Sequence, residues 1–140
     1  MTTSTMIHLA IPAMDLKASK DFYETLGGIT GRKYPDSVVM YFYDCQLVLH
    51  KCKPEKTLPL EMYPRHFGVI LSNKEQLSSM WNKLKESGFV FAEYFTRHED
   101  KFEEHHTFFL YDPSNNVIEF KWYKNQESIF NASSVATKDT

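Results

Sequence analysis

Two stretches of the chain carry apolar residues at helical spacing, and short apolar runs of strand length surround each of them. Ala18, Phe22 and Leu26 fall on one face of a helix read from Asp15 to Leu26. Asp15 is a suitable N-cap, and Gly27-Gly28 supplies the left-handed stop. Leu77, Met80, Trp81 and Leu84 define a second amphipathic helix. It opens on the capping pattern Ser72-Asn73-Lys74-Glu75 and is closed by Gly88. A strand is predicted before each helix, Met6–Ile11 ended by Pro12 and His66–Leu71. Three are predicted after each: Ile29–Lys33, Val38–Tyr43 and Gln46–Cys52, then Phe89–Thr96, His106–Tyr111 and Val117–Tyr123. Prolines 54, 59 and 64 break the connector between the two series, and Asp112 to Asn116 reads as a turn.

The second series repeats the first. An offset of 58 residues takes His8 to His66, Phe22 to Met80, Tyr23 to Trp81 and Leu26 to Leu84. The common offset implies duplicated βαβββ halves. The expected organisation is one domain over 1–124, with module one at 6–52, a connector at 53–64 and module two at 65–123. A polar, unpatterned tail follows at 125–140.

Composition narrows the functional classes. The chain has 140 residues, is 42% hydrophobic and 24% charged, and carries a formal net charge of −2. No run of lysines or arginines provides the electrostatic footprint of a nucleic-acid binder. No apolar stretch reaches the ~20 residues of a membrane span. Met1 to Met6 is polar, without the apolar segment of an export signal, and two cysteines are too few for a disulfide framework. A cytoplasmic protein with two reduced thiols is the expectation.

Strand alternation then selects the candidate chemistry. In the first strand Ile7, Leu9 and Ile11 form one apolar face, which puts His8 on the other with Met6 and Ala10. Phe67, Val69 and Leu71 likewise oppose His66, Gly68 and Ile70, and Ile118, Phe120 and Trp122 oppose Glu119. Each of these strands buries one apolar face and turns a metal-capable residue the other way. A lone strand histidine is usually a surface or core residue. Two imidazoles and a carboxylate on corresponding faces make a facial triad for one divalent ion, with coordination positions left open. Iron(II) is favoured for such a set; manganese, nickel, cobalt and zinc also accept it.

The segment Ile7-His8-Leu9-Ala10-Ile11-Pro12-Ala13-Met14-Asp15-Leu16, followed by Asp21-Phe22-Tyr23, resembles the opening of vicinal-oxygen-chelate proteins. Arg65-His66-Phe67-Gly68-Val69 and the ending Asp112-Pro113-Ser114-Asn115-Asn116-Val117-Ile118-Glu119-Phe120 resemble later parts of the same group. The group includes glyoxalase I, extradiol dioxygenases and the fosfomycin- and bleomycin-resistance proteins. The resemblance covers residues 6 to about 123. It implies an α+β fold in which two βαβββ modules form a cupped eight-stranded mixed sheet with helices on the convex side. It also implies metal ligands at His8, His66 and Glu119, a small-molecule substrate and a homodimer.

Within that group, Val48 stands as the internal counterpart of Glu119, where glyoxalase I proteins place a glutamate that is both ligand and base. Valine is neither. Gln46 and His50 flank it on the same strand face, Gln46 as a substrate contact and His50 as an acid–base candidate. His105 and His106 form an adjacent pair, of which alternation sends one inward; His106 is taken as the second catalytic candidate. The bland alternative is an exposed acidic loop with Glu99, Asp100, Glu103 and Glu104. Arg97 can clamp a substrate carboxylate or pair with those acids, and Phe109 is a further substrate contact. Three functions follow: a metal-dependent dioxygenase-like enzyme, favoured by elimination; a glyoxalase-type lyase or isomerase; and a noncatalytic protein that sequesters a small molecule such as an antibiotic.

Overall fold

Each helix starts at a short polar side chain that satisfies a backbone donor left over by the first turn. In the computed structural model, which describes residues 5–54, 57, 59 and 61–132, the Asp15 carboxylate accepts from Ala18 N at 3.0 Å and opens α1 (Leu16–Thr25). Asn73 does the same for Gln76 N at 2.9 Å and opens α2 (Lys74–Leu84). Gln76 reaches back to the Ser72 amide and hydroxyl, so the capping pattern is used one residue later than its sequence suggests. Gly27, with φ +107°, follows α1, a backbone conformation that costs a side chain but not glycine.

The strands are β1 (Ile7–Ala13), β2 (Ile29–Tyr34), β3 (Ser37–Phe42), β4 (Cys45–Lys51), β5 (Phe67–Ile70), β6 (Val90–Arg97), β7 (His105–Tyr111) and β8 (Val117–Tyr123). The element order is therefore βαβββ twice, as the repeat predicts. The strands form two four-stranded mixed sheets, ordered β1-β4-β3-β2 and β5-β8-β7-β6. In both, the first strand pairs in parallel with the last of its module, while β2 with β3, β3 with β4 and β6 with β7 pair antiparallel. Pro12 does not end β1, which runs on to Ala13. An edge strand tolerates a missing N–H, and β1 is such an edge.

The chain divides into two compact units, 1–65 with 111–117, and 66–110 with 118–140. In the first, α1 lies over β2, β3 and β4. Phe22, Tyr23 and Leu26 meet Val38, Met40, Leu47 and Leu49 there, all buried. Ile7 was expected on the helix-covered face, yet it is 69% exposed, because α1 does not reach the start of the edge strand. The turn 112–116 also belongs to this unit. The Asp112 carboxylate accepts from Tyr23 OH (2.7 Å), Ser114 N (2.8 Å), Asn116 N (2.9 Å) and Asn116 Nδ2 (2.7 Å). Burial still holds this carboxyl above its ordinary pKa. The second unit buries Leu77, Leu84, Phe108, Leu110, Ile118 and Phe120, with Trp81 of α2 against Phe108. The polar tail begins with a short 3-10 helix, Gln126–Ile129, capped by Asn125; residues 133–140 lie outside the described ones. No helix among the described residues is long and apolar enough to cross a membrane.

Candidate functional site

Register fixes what shares a face with His8. His8 pairs with Gln46, Gln46 with Tyr41 and Tyr41 with Ile29. These four residues form one row across the first sheet, on the face opposite Leu47 and Leu49. The His8 Nδ1 lies 2.7 Å from Gln46 Oε1. An amide oxygen only accepts, so Nδ1 carries the proton and the Nε2 lone pair is left for a metal or an acid. Gln46, expected as a substrate contact, therefore has a prior task in orienting His8.

The next row on this face is Ala10, Val48 and Val39, and Val48 is buried among them. His50 stands one row further, beside Pro12 and Ser37, and is exposed. It shares the face with His8, but four residues of strand separate it from Gln46, about 13 Å. That distance separates His50, the expected acid–base candidate, from the His8 row.

In the second unit, Glu119 and His66 come together. The His66 Nε2 is 3.2 Å from Glu119 Oε1, while Thr107 donates its hydroxyl to Glu119 Oε2 at 2.6 Å. Lys121 Nζ lies 3.7 Å from the same Oε1. Glu119 is only 6% exposed, so its charge depends on these partners. Thr107 fixes one carboxylate oxygen and leaves the other pointed at His66. This buttress was not anticipated, because the run His105-His106-Thr107-Phe108-Phe109 has no apolar alternation to fix its phase.

The same alternation decides between the adjacent histidines. His105, Thr107 and Phe109 face Glu119. The neighbouring His106 faces α2, where it meets Trp122 edge-on and hydrogen-bonds Tyr94 OH (2.7 Å) and Glu104 Oε2 (2.9 Å). His106, expected as a catalytic candidate, thus stands on the face away from Glu119, and His105 on the face toward it. His105 is buried, with its Nδ1 3.0 Å from the Glu103 carbonyl. That bond places the proton on Nδ1 and frees Nε2 as an acceptor, and burial holds its pKa below the usual histidine value.

Phe109, expected as a substrate contact, lies on the same face as Thr107. It has no exposed surface, and its ring packs edge-on to His66 at 5.2 Å and stacks on Phe95. It supports the imidazole instead of meeting a molecule from solvent. The Arg97 guanidinium lies over the Phe95 ring at 5.1 Å, and Arg97 pairs with His105 across β6 and β7.

The donors suit a divalent ion by chemistry. His8 has Nδ1 engaged and Nε2 available, and Glu119 has one oxygen anchored and the other beside an imidazole nitrogen. Among the described residues, no three His, Cys, Asp or Glu side chains are gathered closely enough to hold a metal. The pair His66 and Glu119 is assembled within its unit; His8 is presented on the other.

The family model described as Glyoxalase/Bleomycin resistance protein/Dioxygenase superfamily matches residues 5–120. Among solved structures, a glyoxalase/bleomycin resistance protein/dioxygenase from Alicyclobacillus acidocaldarius is 39% identical. The match covers 90% of this chain and 96% of that one, with a TM-score of 0.80. A fosfomycin resistance protein, FosX, from Listeria monocytogenes, complexed with Mn(II) and sulfate, is 15% identical over 91% and 97% of the two chains, with a TM-score of 0.72. A lactoylglutathione lyase from Agrobacterium tumefaciens is 17% identical over 86% and 95%, with a TM-score of 0.63. These last two are likenesses of fold. No curated protein matches the chain.

Proposed function

The chain belongs to the Glyoxalase/Bleomycin resistance protein/Dioxygenase superfamily, and on that premise we propose that it is a metal-dependent enzyme acting on a small organic molecule with two neighbouring oxygens. His8, His66 and Glu119 are its metal ligands in this reading. The observation that carries it is the meeting of His66 Nε2 and Glu119 Oε1 at 3.2 Å, with Thr107 holding the second carboxylate oxygen. A buried carboxylate with one oxygen anchored and the other beside an imidazole has the form of half a metal site with its supporting shell. A bound divalent ion would supply Lewis-acid polarisation of the substrate oxygens. Gln46 holds His8 in its ligating tautomer and Thr107 prevents Glu119 from turning. Phe109 sets the plane of the His66 ring.

For the reaction class we favour dioxygenase-like chemistry, with iron(II). Val48 is buried between Ala10 and Val39, so that position offers neither a fourth ligand nor a base. A second reading, oxygen-independent proton transfer of lyase or isomerase type, is favoured by His105 alone, whose Nε2 acceptor lies on the Glu119 face. The noncatalytic sequestering alternative has no observation in its favour beyond family membership. The protein is expected to work as a homodimer, which sedimentation equilibrium checks.

The test begins with elemental analysis after purification without added metal. One divalent ion per chain is expected, lost in the double variant His8→Ala, His66→Ala; full stoichiometric metal in that variant would remove the assignment. The protein is then reconstituted separately with iron(II) and nickel(II). Each form is offered catechol-like compounds under oxygen and hemithioacetals without it. Oxygen uptake confined to the iron form supports the favoured reading. Isomerisation without oxygen, abolished in His105→Ala, would replace it with the second.

A further inference from the structure

The first sheet carries a cavity of about 540 Å³ on its His8 face. His8 and Gln46 line one end of it, and Met6, Ile29, Val39 and Tyr41 supply most of its apolar wall. The far side is β2, where Arg32 lines the cavity from within the ladder irregularity between Thr30 and Lys33. Among the described residues, no aspartate or glutamate lines it, and Arg32 is its one full cation. The carboxylates that touch lining residues are engaged. Asp44 accepts from the Tyr41 hydroxyl, and Glu24 accepts from Thr30 and pairs with Lys20. What Tyr41 offers a ligand is therefore its ring. Among the described residues, the Tyr34 hydroxyl takes only the Nε–H of Arg32, at 3.0 Å, and the terminal amino groups keep their fork for an anion.

The spacing of the cavity's two polar ends follows from the sheet. His8, Gln46, Tyr41 and Ile29 are successive partners across four strands. Three interstrand steps of ~4.8 Å take His8 to Ile29, about 14 Å, and Arg32 lies about one row (~7 Å) further along β2, so the polar ends stand roughly 16 Å apart between backbones. The ground between them is apolar. A cation would meet Arg32 unfavourably, and a wholly polar molecule would strip water from the apolar wall without return. A volume of this size is within the range that holds an ordinary small organic ligand.

We propose that this cavity receives the substrate's body and that the substrate class is an amphiphilic monoanion. Its two neighbouring oxygens lie at the His8 end, an apolar or aryl body crosses the strands, and a carboxylate-type anion sits on Arg32. The assignment of the oxygens rests on the metal reading above; the anion and the apolar body rest on the cavity alone.

The test separates the two. Metal-free protein is titrated by calorimetry with 4-phenylbutanoate, 4-phenylbutanamide and 4-phenylbutylamine, which share a body and differ in charge. Backbone amide NMR shifts follow the same titrations. The carboxylate is expected to bind at least tenfold more tightly than the amide, with shifts on β2, β3 and β4. The amine should bind more weakly than either. Arg32→Gln, at an exposed position, should erase the carboxylate's advantage without changing metal stoichiometry or melting temperature. Val39→Trp, which fills the cavity, should weaken all three probes. Equal binding of carboxylate and amide, an advantage that survives Arg32→Gln, shifts confined to the second unit, or no binding at all would each overturn the proposal. Metal retained by the His8 and His66 double variant would sink the metal reading and leave the anion result standing.

Discussion

Gly68 allows the pairing of β5 with β8 to be tested at one atom. It sits opposite Glu119 in the parallel ladder, and a Cβ built on it would lie 2.0 Å from the Glu119 carbonyl oxygen and 2.8 Å from its carbonyl carbon. Ordinary contact begins near 3.4 Å. The obstruction is main chain, so no rotamer relieves it, and the strands must separate by roughly 1 Å or more. Gly68 is therefore small because Glu119's backbone is close. Overpacking of this kind costs about 3 kcal/mol. For a chain of this size the unfolding entropy is roughly 0.3 kcal/mol per degree, so Gly68→Ala should lower Tm by about 10 °C. The control is Gly88→Ala. Gly88 has φ +87° and nothing within 4 Å of an added Cβ, so only the left-handed backbone penalty applies, about 1 kcal/mol. Calorimetry and urea denaturation measure both. Metal binding in Gly68→Ala should weaken as well, since the displaced backbone carries Glu119. A Gly68→Ala protein melting within ~2 °C of the parent, or below Gly88→Ala by no margin, would refute the steric argument.

Three further outcomes are expected. Gln46→Leu removes the acceptor that fixes the His8 tautomer; metal affinity should fall by roughly 10- to 100-fold with little change in melting temperature, as read by competition with a chromophoric chelator. Tyr23→Phe leaves the buried Asp112 carboxylate one donor short and should destabilise by about 1–3 kcal/mol in urea denaturation. The Glu104 carboxyl is held below its ordinary value, chiefly by its hydrogen bond to His106 and then by the Asp100 amide. Its stabilisation is present above the unfolded value of about 4.5 and lost as pH falls through the folded one. Denaturation curves between pH 6 and 3 should show Glu104→Gln losing less stability on acidification than the parent; parallel curves would remove Glu104 from the account.

Periodicity made the element order legible because helix and strand impose different repeats on buried positions. Asp15 and Gly27 marked the ends of α1 because each satisfies a local backbone demand that no distant contact alters. Pro12 misled for the converse reason. Its missing N–H matters only if another strand lies on that side, and strand order is a property of the whole sheet. Ile7 misled likewise, since apolar character does not say where a helix ends above it. The 58-residue offset carried the duplication because corresponding core positions in both modules face the same packing problem.

The site was legible wherever period-two alternation alone decides direction, and lost wherever a one-residue phase was needed. His8 and Glu119 lie in strands whose apolar partners fix the phase on both sides. In His105-His106-Thr107-Phe108-Phe109 the apolar character does not alternate, so nothing in the sequence says which histidine faces Glu119. The phase is set by Thr107, whose hydroxyl finds the Glu119 carboxylate, and by Phe108, whose ring stacks on Phe120 below α2. Both are contacts between strands. The same limit applies to Gln46 and His50. Sequence puts both on the face of His8, and only register distinguishes the one that pairs with His8 from the one four residues further along. What a side chain faces can be read from its neighbours in the chain; what it touches requires the partner strand. That distinction is why only the partner strands show His105 on the Glu119 face and Gln46 hydrogen-bonded to His8.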